Sequence, residues 1–171
     1  MKIKVSLISL VIVMMSAFTL TAQYSSSKDA KPNITDLNET KNASKSLDDI
    51  LKKYKGKVIY LDFWASWCGP CKREMPYSTK LKEQLTGKDV AFVYISTDKN
   101  AASWEGMINE LGLVGEHYRA SAKVKQEIVE RFNLQYIPRY VLINKEGVVA
   151  DDNAKRPSDP MISGDIDKLL M

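Results

Sequence analysis

Val58-Ile59-Tyr60-Leu61-Asp62-Phe63-Trp64-Ala65-Ser66-Trp67-Cys68-Gly69-Pro70-Cys71 decides the reading of this chain. Its first seven residues are apolar except for Asp62, which predicts a strand buried on both faces. Residues 69–85 then carry Met75, Leu81 and Leu85 at helical spacing, with Pro76 as an expected kink. The only two cysteines of the chain lie at this junction, three positions apart. Two cysteines placed at random would show that spacing roughly once in 90, so composition is a poor account of it. Pro70 suits a first helical turn, where no backbone donor is needed. Cys68 then falls near the N-cap, where free N–H groups and the helix dipole favour a thiolate. Cys71 lies one turn deeper and is expected to be shielded and slower to lose its proton. An exposed, easily ionised thiol beside a buried partner suits two-step thiol–disulfide exchange.

Three other accounts compete. A structural disulfide here would close a very short loop and constrain the unfolded chain little. Half a zinc site would need further ligands, and His117 is the only other soft donor. The motif could also be a relic on a binding module.

The 171 residues are 44% hydrophobic and 27% charged, which excludes disordered and low-complexity classes and fits one domain. The formal charge of +4 is too small to argue for nucleic acid or a polybasic membrane surface. Lys2 and Lys4 precede an apolar run, Val5 to Leu20, interrupted only by Ser6, Ser9, Ser16 and Thr19. With Leu20-Thr21-Ala22 at its end, this reads as a secretory signal over 1–22, cleaved after Ala22, with a retained membrane anchor as the alternative. No cysteine follows the run, which excludes a lipobox. The remaining chain of about 150 residues is large enough to fold without a staple. Residues 23–45 form a polar lead, expected to be loosely ordered, with Ile34 and Leu37 as candidates for an edge strand. Its Asn-x-Ser/Thr triplets at Asn33, Asn38 and Asn42 are what such a composition produces by chance.

The domain is expected over 46–171. Leu47, Ile50, Leu51 and Tyr54 mark one helical face, opened by a Ser46/Asp49 capping box and stopped at Gly56. Val90 to Ile95 reads as a second buried strand. Trp104, Met107, Ile108 and Leu111 define a helix, and Val124, Ile128 and Phe132 another. Tyr140–Ile143 and Val148–Ala150 read as a hairpin, and Ile166, Leu169 and Leu170 as a closing helix. Strands alternating with helices imply an α/β fold, a central sheet with helices on both faces, made mixed by the hairpin.

Trp67-Cys68-Gly69-Pro70-Cys71 after Leu61-Asp62-Phe63-Trp64-Ala65 resembles the active site of the thioredoxin superfamily. The apolar N-terminal run, Cys71-Lys72-Arg73-Glu74-Met75-Pro76 and the helix–strand segment at about 100–119 resemble its exported TlpA/ResA-like thiol–disulfide oxidoreductases. The resemblance implies a thioredoxin fold with a mixed four- to five-stranded sheet and a helix–strand insertion at about 100–119. It makes Cys68 and Cys71 the redox-active disulfide and Asp62 a buried carboxylate that shuttles a proton for Cys71. Burial raises a carboxyl pKa, which suits that role. A lysine common near this carboxylate is replaced in gapless comparison by Tyr94. Trp67, Gly69, Pro70, Ile137, Pro138 and Arg139 become substrate-binding residues. Ile137-Pro138 matches a loop whose proline is cis and whose backbone pairs with an extended client. Arg139 stands where the family commonly has Thr, and its cation would favour a thiolate, select acidic substrates or point to solvent. His117, Trp104, Met107 and Leu111 are expected to be structural, and Lys52, Lys53 and Lys55 a solvated face.

The Gly-Pro insert resembles reducing thioredoxins, so the expected function is an exported protein disulfide reductase. Cytochrome c maturation is one expected setting, and a membrane thiol transporter of the CcdA/DsbD type the expected electron donor. A net disulfide oxidant and a redox-inert peptide-binding module are the alternatives. The expected partners are protein thiol or disulfide clients, with no nucleic acid, no metal and no cofactor, and the expected state is a monomer.

Overall fold

The structure, a computed structural model, describes residues 31–171. The signal segment 1–22 and the start of the lead, 23–30, lie outside the described residues. The central strand β2, Val58–Trp64, is buried at every position, as its apolar run predicts. It pairs in parallel with β3, Val90–Ser96, and antiparallel with β5, Arg139–Ile143. β4, Glu116–Arg119, extends the sheet beyond β3, and β6, Val149–Asp151, closes the hairpin beyond β5. Gly147, at φ 87°, supplies the left-handed residue of that hairpin's turn.

A sixth strand corrects the expected count of four to five. β1, Asn33–Asp36, pairs in parallel with β4 and gives the order β1-β4-β3-β2-β5-β6. Residues 31–45 therefore belong to the fold and are not a loose lead. β1 contains Ile34, and Leu37 just beyond it is fully buried. Asp36 pairs with Arg119 at 2.6 Å, and Asn42 donates to the Asp36 carbonyl at 2.9 Å. The local signal was weak because an edge strand of four residues, three of them polar, shows no alternation.

The strand period of two sorts the core into two layers. Tyr60 and Trp64 of β2 face α2, Gly69–Gln84, through Cys71, Met75 and Leu81. The same layer holds Trp104 and Ile108 of α3, Ala101–Glu110, and Ile162 and Ile166 of α5, Ile162–Leu170. Ile59, Leu61 and Phe63 face the opposite side, against Leu47 and Ile50 of α1, Leu47–Leu51. Val124, Ile128 and Phe132 of α4, Ala122–Phe132, complete that layer. The Ser46/Asp49 capping box forms as read: Ser46 Oγ accepts from the Asp49 N–H, and Asp49 accepts from the Ser46 N–H at 2.9 Å.

Leu37→Ala tests whether the early segment is integral. Truncation of this buried side chain is expected to cost about 2–4 kcal/mol in denaturant unfolding. A change within experimental error would mean that residues 31–45 lie on the domain without stabilising it.

Candidate active site

The site forms where β2 ends and α2 begins. Cys68 is the N-cap of α2, and its Sγ accepts a hydrogen bond from the Cys71 N–H at 3.2 Å. Gly69 and Pro70 form the first turn, so the missing proline N–H costs no hydrogen bond. This turn brings the Cα atoms of Cys68 and Cys71 to 5.3 Å, and the two sulfurs form a disulfide. Cys68 is not the open thiol that was expected: it is 4% exposed, against 0% for Cys71. The order is as predicted, but the contrast is small in the disulfide form. Both residues sit in the core layer, with Ile137 packed against it. Trp67, by contrast, is 69% exposed beside them.

Antiparallel pairing brings the second part of the site to the first. Phe63 of β2 stands opposite Arg139 of β5, so the loop preceding β5 lies by the strand end that leads into Cys68. The Ile137–Pro138 peptide bond in that loop is cis. Arg139 is turned elsewhere. Its Nε donates to the Asp152 carbonyl at 2.7 Å and its side chain is largely buried. The β5–β6 hairpin carries Asp152 alongside, and the guanidinium lies against it.

Asp62 lies within β2 on the face that carries Tyr60 and Trp64, the α2 side. It is buried, and neither carboxylate oxygen has a hydrogen-bond partner. Burial pushes its carboxyl well above the usual range, and the charge of Glu74 adds to the effect. The flanking cross-strand partners are Tyr94 on β3 and Tyr140 on β5, so a tyrosine does occupy the position compared with the family's lysine. Tyr94 shares a hydrogen bond with Ser78 of α2 at 2.7 Å. His117 stacks on Tyr94 at 4.6 Å, and burial, aided by Lys82, lowers it to about 3, so it is neutral and structural. Lys82 lies 5.1 Å from the Tyr94 ring centroid, and burial lowers it to about 8.

Two acidic residues at the site escaped the sequence reading. Asp98, just past β3, accepts from the Ser66 N–H at 2.9 Å and from the hydroxyls of Ser66 and Ser96 at 2.7 and 2.6 Å. This buried network fixes the turn that presents Trp67 and Cys68. Glu74 of α2 is buried and accepts from Ser158 N–H and Oγ at 3.1 and 3.0 Å. It was quoted only as part of the run after Cys71. A charged residue at helical spacing from Cys71 and Met75 was the available signal for it. Among the described residues, no cluster of three or more His, Cys, Asp or Glu is placed to hold a metal.

Comparison with known proteins agrees with this geometry. The sequence profile of the Redoxin family matches residues 26–169. Thiol-disulfide oxidoreductase ResA of Bacillus thuringiensis strain Al Hakam is 28% identical over 119 residues, covering 70% of this chain and 67% of the relative. The solution structure of a Bacteroides vulgatus protein described as a thiol-disulfide oxidoreductase is 37% identical, with a TM-score of 0.62. That match covers 70% of this chain and 78% of that one. A crystal structure of a Bacteroides vulgatus protein with the same description gives 37% identity and a TM-score of 0.62, covering 70% and 83%.

The buried Asp62 has a sign that stability measurements can read. Below the ordinary carboxylate pKa, folded and unfolded chains both carry its proton. As pH rises, the unfolded chain releases the proton first, so folding loses stability until the raised folded pKa is passed. Asp62→Asn is therefore expected to stabilise the protein by about 1–2 kcal/mol at pH 8 and by little at pH 4. Thermal unfolding at both pH values checks this. An equal effect at the two would show that Asp62 keeps an ordinary pKa.

Proposed function

The chain belongs to the Redoxin family of the thioredoxin superfamily and is a thiol–disulfide oxidoreductase, and from that premise we propose that it is an exported reductase of protein disulfides. The observation that carries the exchange chemistry is the Cys68–Cys71 pair at the N-terminus of α2. The Gly-Pro insert, similar to that of reducing thioredoxins, supports the direction, and the basic start with its apolar run supports export.

In the proposed cycle the reduced chain begins with a Cys68 thiolate. The Cys71 N–H and the helix N-terminus stabilise that charge. Cys68 Sγ attacks one sulfur of the client disulfide. The client S–S bond breaks, its other sulfur leaves and takes a proton from water, and a mixed disulfide remains. Cys71 then gives its proton to the Asp62 carboxylate and attacks Cys68 Sγ. The bond to the client breaks, and the second client sulfur leaves with the proton that Asp62 gives up, which restores the carboxylate. The client gains two electrons and two protons, and the chain ends with the Cys68–Cys71 disulfide. A pKa raised by burial brings Asp62 nearer that of a thiol, which makes this transfer less uphill. Trp67, exposed next to Cys68 in the chain, offers an apolar surface to a client, and the Ile137–Pro138 loop offers it backbone.

An exported compartment is oxidising, so a reductant there needs a supply of electrons. A membrane thiol transporter of the CcdA/DsbD type fills that role in this proposal, and reduction of cysteines during cytochrome c maturation is one setting for it. The working unit is proposed to be a monomer, because the exchange pair is complete within one chain.

Cys68→Ser is expected to lower reduction of a protein disulfide at least about a hundredfold, because the attacking sulfur is gone. Cys71→Ser is expected to accumulate mixed disulfides with clients, visible on non-reducing gels. Full activity of the first variant or no adducts with the second would overturn the mechanism. Equilibration with a glutathione couple reads the direction. A potential near −270 mV supports the reductase, and one near −120 mV, about the value of a strong oxidant, would reverse it.

A further inference from the structure

We propose that a groove beside the disulfide selects clients in which a large apolar side chain, aromatic by preference, stands next to a carboxylate near the reacting cysteine. This inference rests on the exchange function above and specifies the local chemistry of its clients. The groove, about 480 Å³, runs from Trp67 and Thr97 to Lys125 and Val129 of α4 and to Tyr136 and Ile137 of the loop before Pro138.

Three observations converge on this surface. Trp67, Tyr136 and Val129 are 69%, 59% and 51% exposed and together form an open apolar rim to the groove. An aromatic side chain lying between the indole and the phenol would bury both faces of its ring. The groove is also continuous with the reacting sulfurs, since Trp67 adjoins Cys68 and Ile137 adjoins Pro138. A segment whose cysteine meets Cys68 must lay its neighbouring residues across this rim.

The third observation is charge. Lys125 is half-buried in the groove wall and has no ion-pair or hydrogen-bond partner for its amine among the described residues. Asp98 is the one carboxylate whose charge acts on it appreciably. The Asp98 oxygens are already occupied by Ser66 and Ser96. Burial lowers the Lys125 amine from its usual pKa, and the like charges of Arg119 and Lys99 add to that effect. Arg119 is itself engaged with Asp36 and the Lys99 carbonyl. A client carboxylate at this position would supply the missing counter-charge, whereas a client lysine would be repelled by the Lys125 ammonium.

The test uses four nine-residue peptides, each linked into a homodimer by one disulfide. The cysteine is flanked on both sides by Phe-Asp, Phe-Lys, Ala-Asp or Ala-Lys. The full mature chain, fully reduced beforehand, is mixed with each, and the thiols released are measured after acid quenching. Each turnover converts one homodimer to two thiols and one dithiol chain to its disulfide. The Phe-Asp peptide is expected to react about fivefold faster than Ala-Asp and about fivefold faster than Phe-Lys. The acidic preference should shrink in 0.5 M salt. Lys125→Glu should reverse the Asp-over-Lys preference, and Tyr136→Ala should reduce the Phe-over-Ala preference. Equal rates for the four peptides with the unaltered chain, or an unchanged preference in Lys125→Glu, overturns the proposal. Hydroxyethyl disulfide, neutral and too small to span the groove, separates the two levels. An unaltered chain that reduces it but treats the peptides alike loses only the groove, whereas one that fails to reduce it loses the exchange function as well.

Discussion

A carboxyl group without a hydrogen-bond partner in the middle of a central strand is among the most costly arrangements a small domain can hold. Asp62 is such a group, and its surroundings offer no relief. Its cross-strand neighbours are two tyrosines, and the charge that acts on it is another carboxylate, Glu74. Burial raises the pH at which its proton leaves, which lessens that cost at lower pH. That shift ties the stability of β2 to a proton, and α2 packs its cysteine-bearing face against the same layer of β2. A group that holds its proton unusually tightly while folded is suited to exchanging it with a thiol. An isosteric apolar residue would stabilise the strand and lose that capacity.

The helix N-terminus acts on the other sulfur. Cys68 caps α2 through its Sγ, as a serine or aspartate would through oxygen. Sulfur is a weaker acceptor, so the cap gains strength when the sulfur is charged. The two cysteines thus differ in what surrounds them more than in how open they are. Both sulfurs lie in the apolar layer, and only Cys68 Sγ also accepts a backbone N–H at the helix N-terminus, which favours an anion there. Opening the disulfide removes the bond that holds Cys68 Sγ against its partner, which is when this difference begins to act.

Local signals carried most of the architecture. The seven-residue run of β2, the apolar spacing of α2 and α4 and the Lys145-Glu146-Gly147 turn each declare themselves within a few residues. The cysteine pair and Asp62 were legible for the same reason, being exceptional residue types in short, strongly patterned stretches. What escaped reading depends on partners far away in sequence. β1 is a strand only because β4 lies beside it, and Asp98 matters because Ser66, 32 positions earlier, needs an acceptor. Glu74 draws its role from Ser158, 84 positions later. The expected openness of Cys68 failed similarly, because it lies in a core layer that residues far along the chain, such as Tyr140 and Ile162, help to build.

The topology explains why these distant pieces meet where they do. β2 and β3 run in parallel, so the turn carrying Cys68 and the turn carrying Asp98 leave the sheet at the same end. β5 runs the other way, so its start, with Pro138 just before it, arrives at that end also. α4 finishes shortly before the same loop, which brings Val129 and Tyr136 to the edge of the site. One reversal of strand direction therefore sets the cis-proline loop at the same end of the sheet as the cysteine pair without a long excursion of chain. It also separates two kinds of constraint. The sulfur chemistry is fixed by β2 and α2, whereas the residues that would meet a client come largely from α4 and the loop behind it. The second set lies outside the β2–α2 unit that carries Cys68, Cys71 and Asp62.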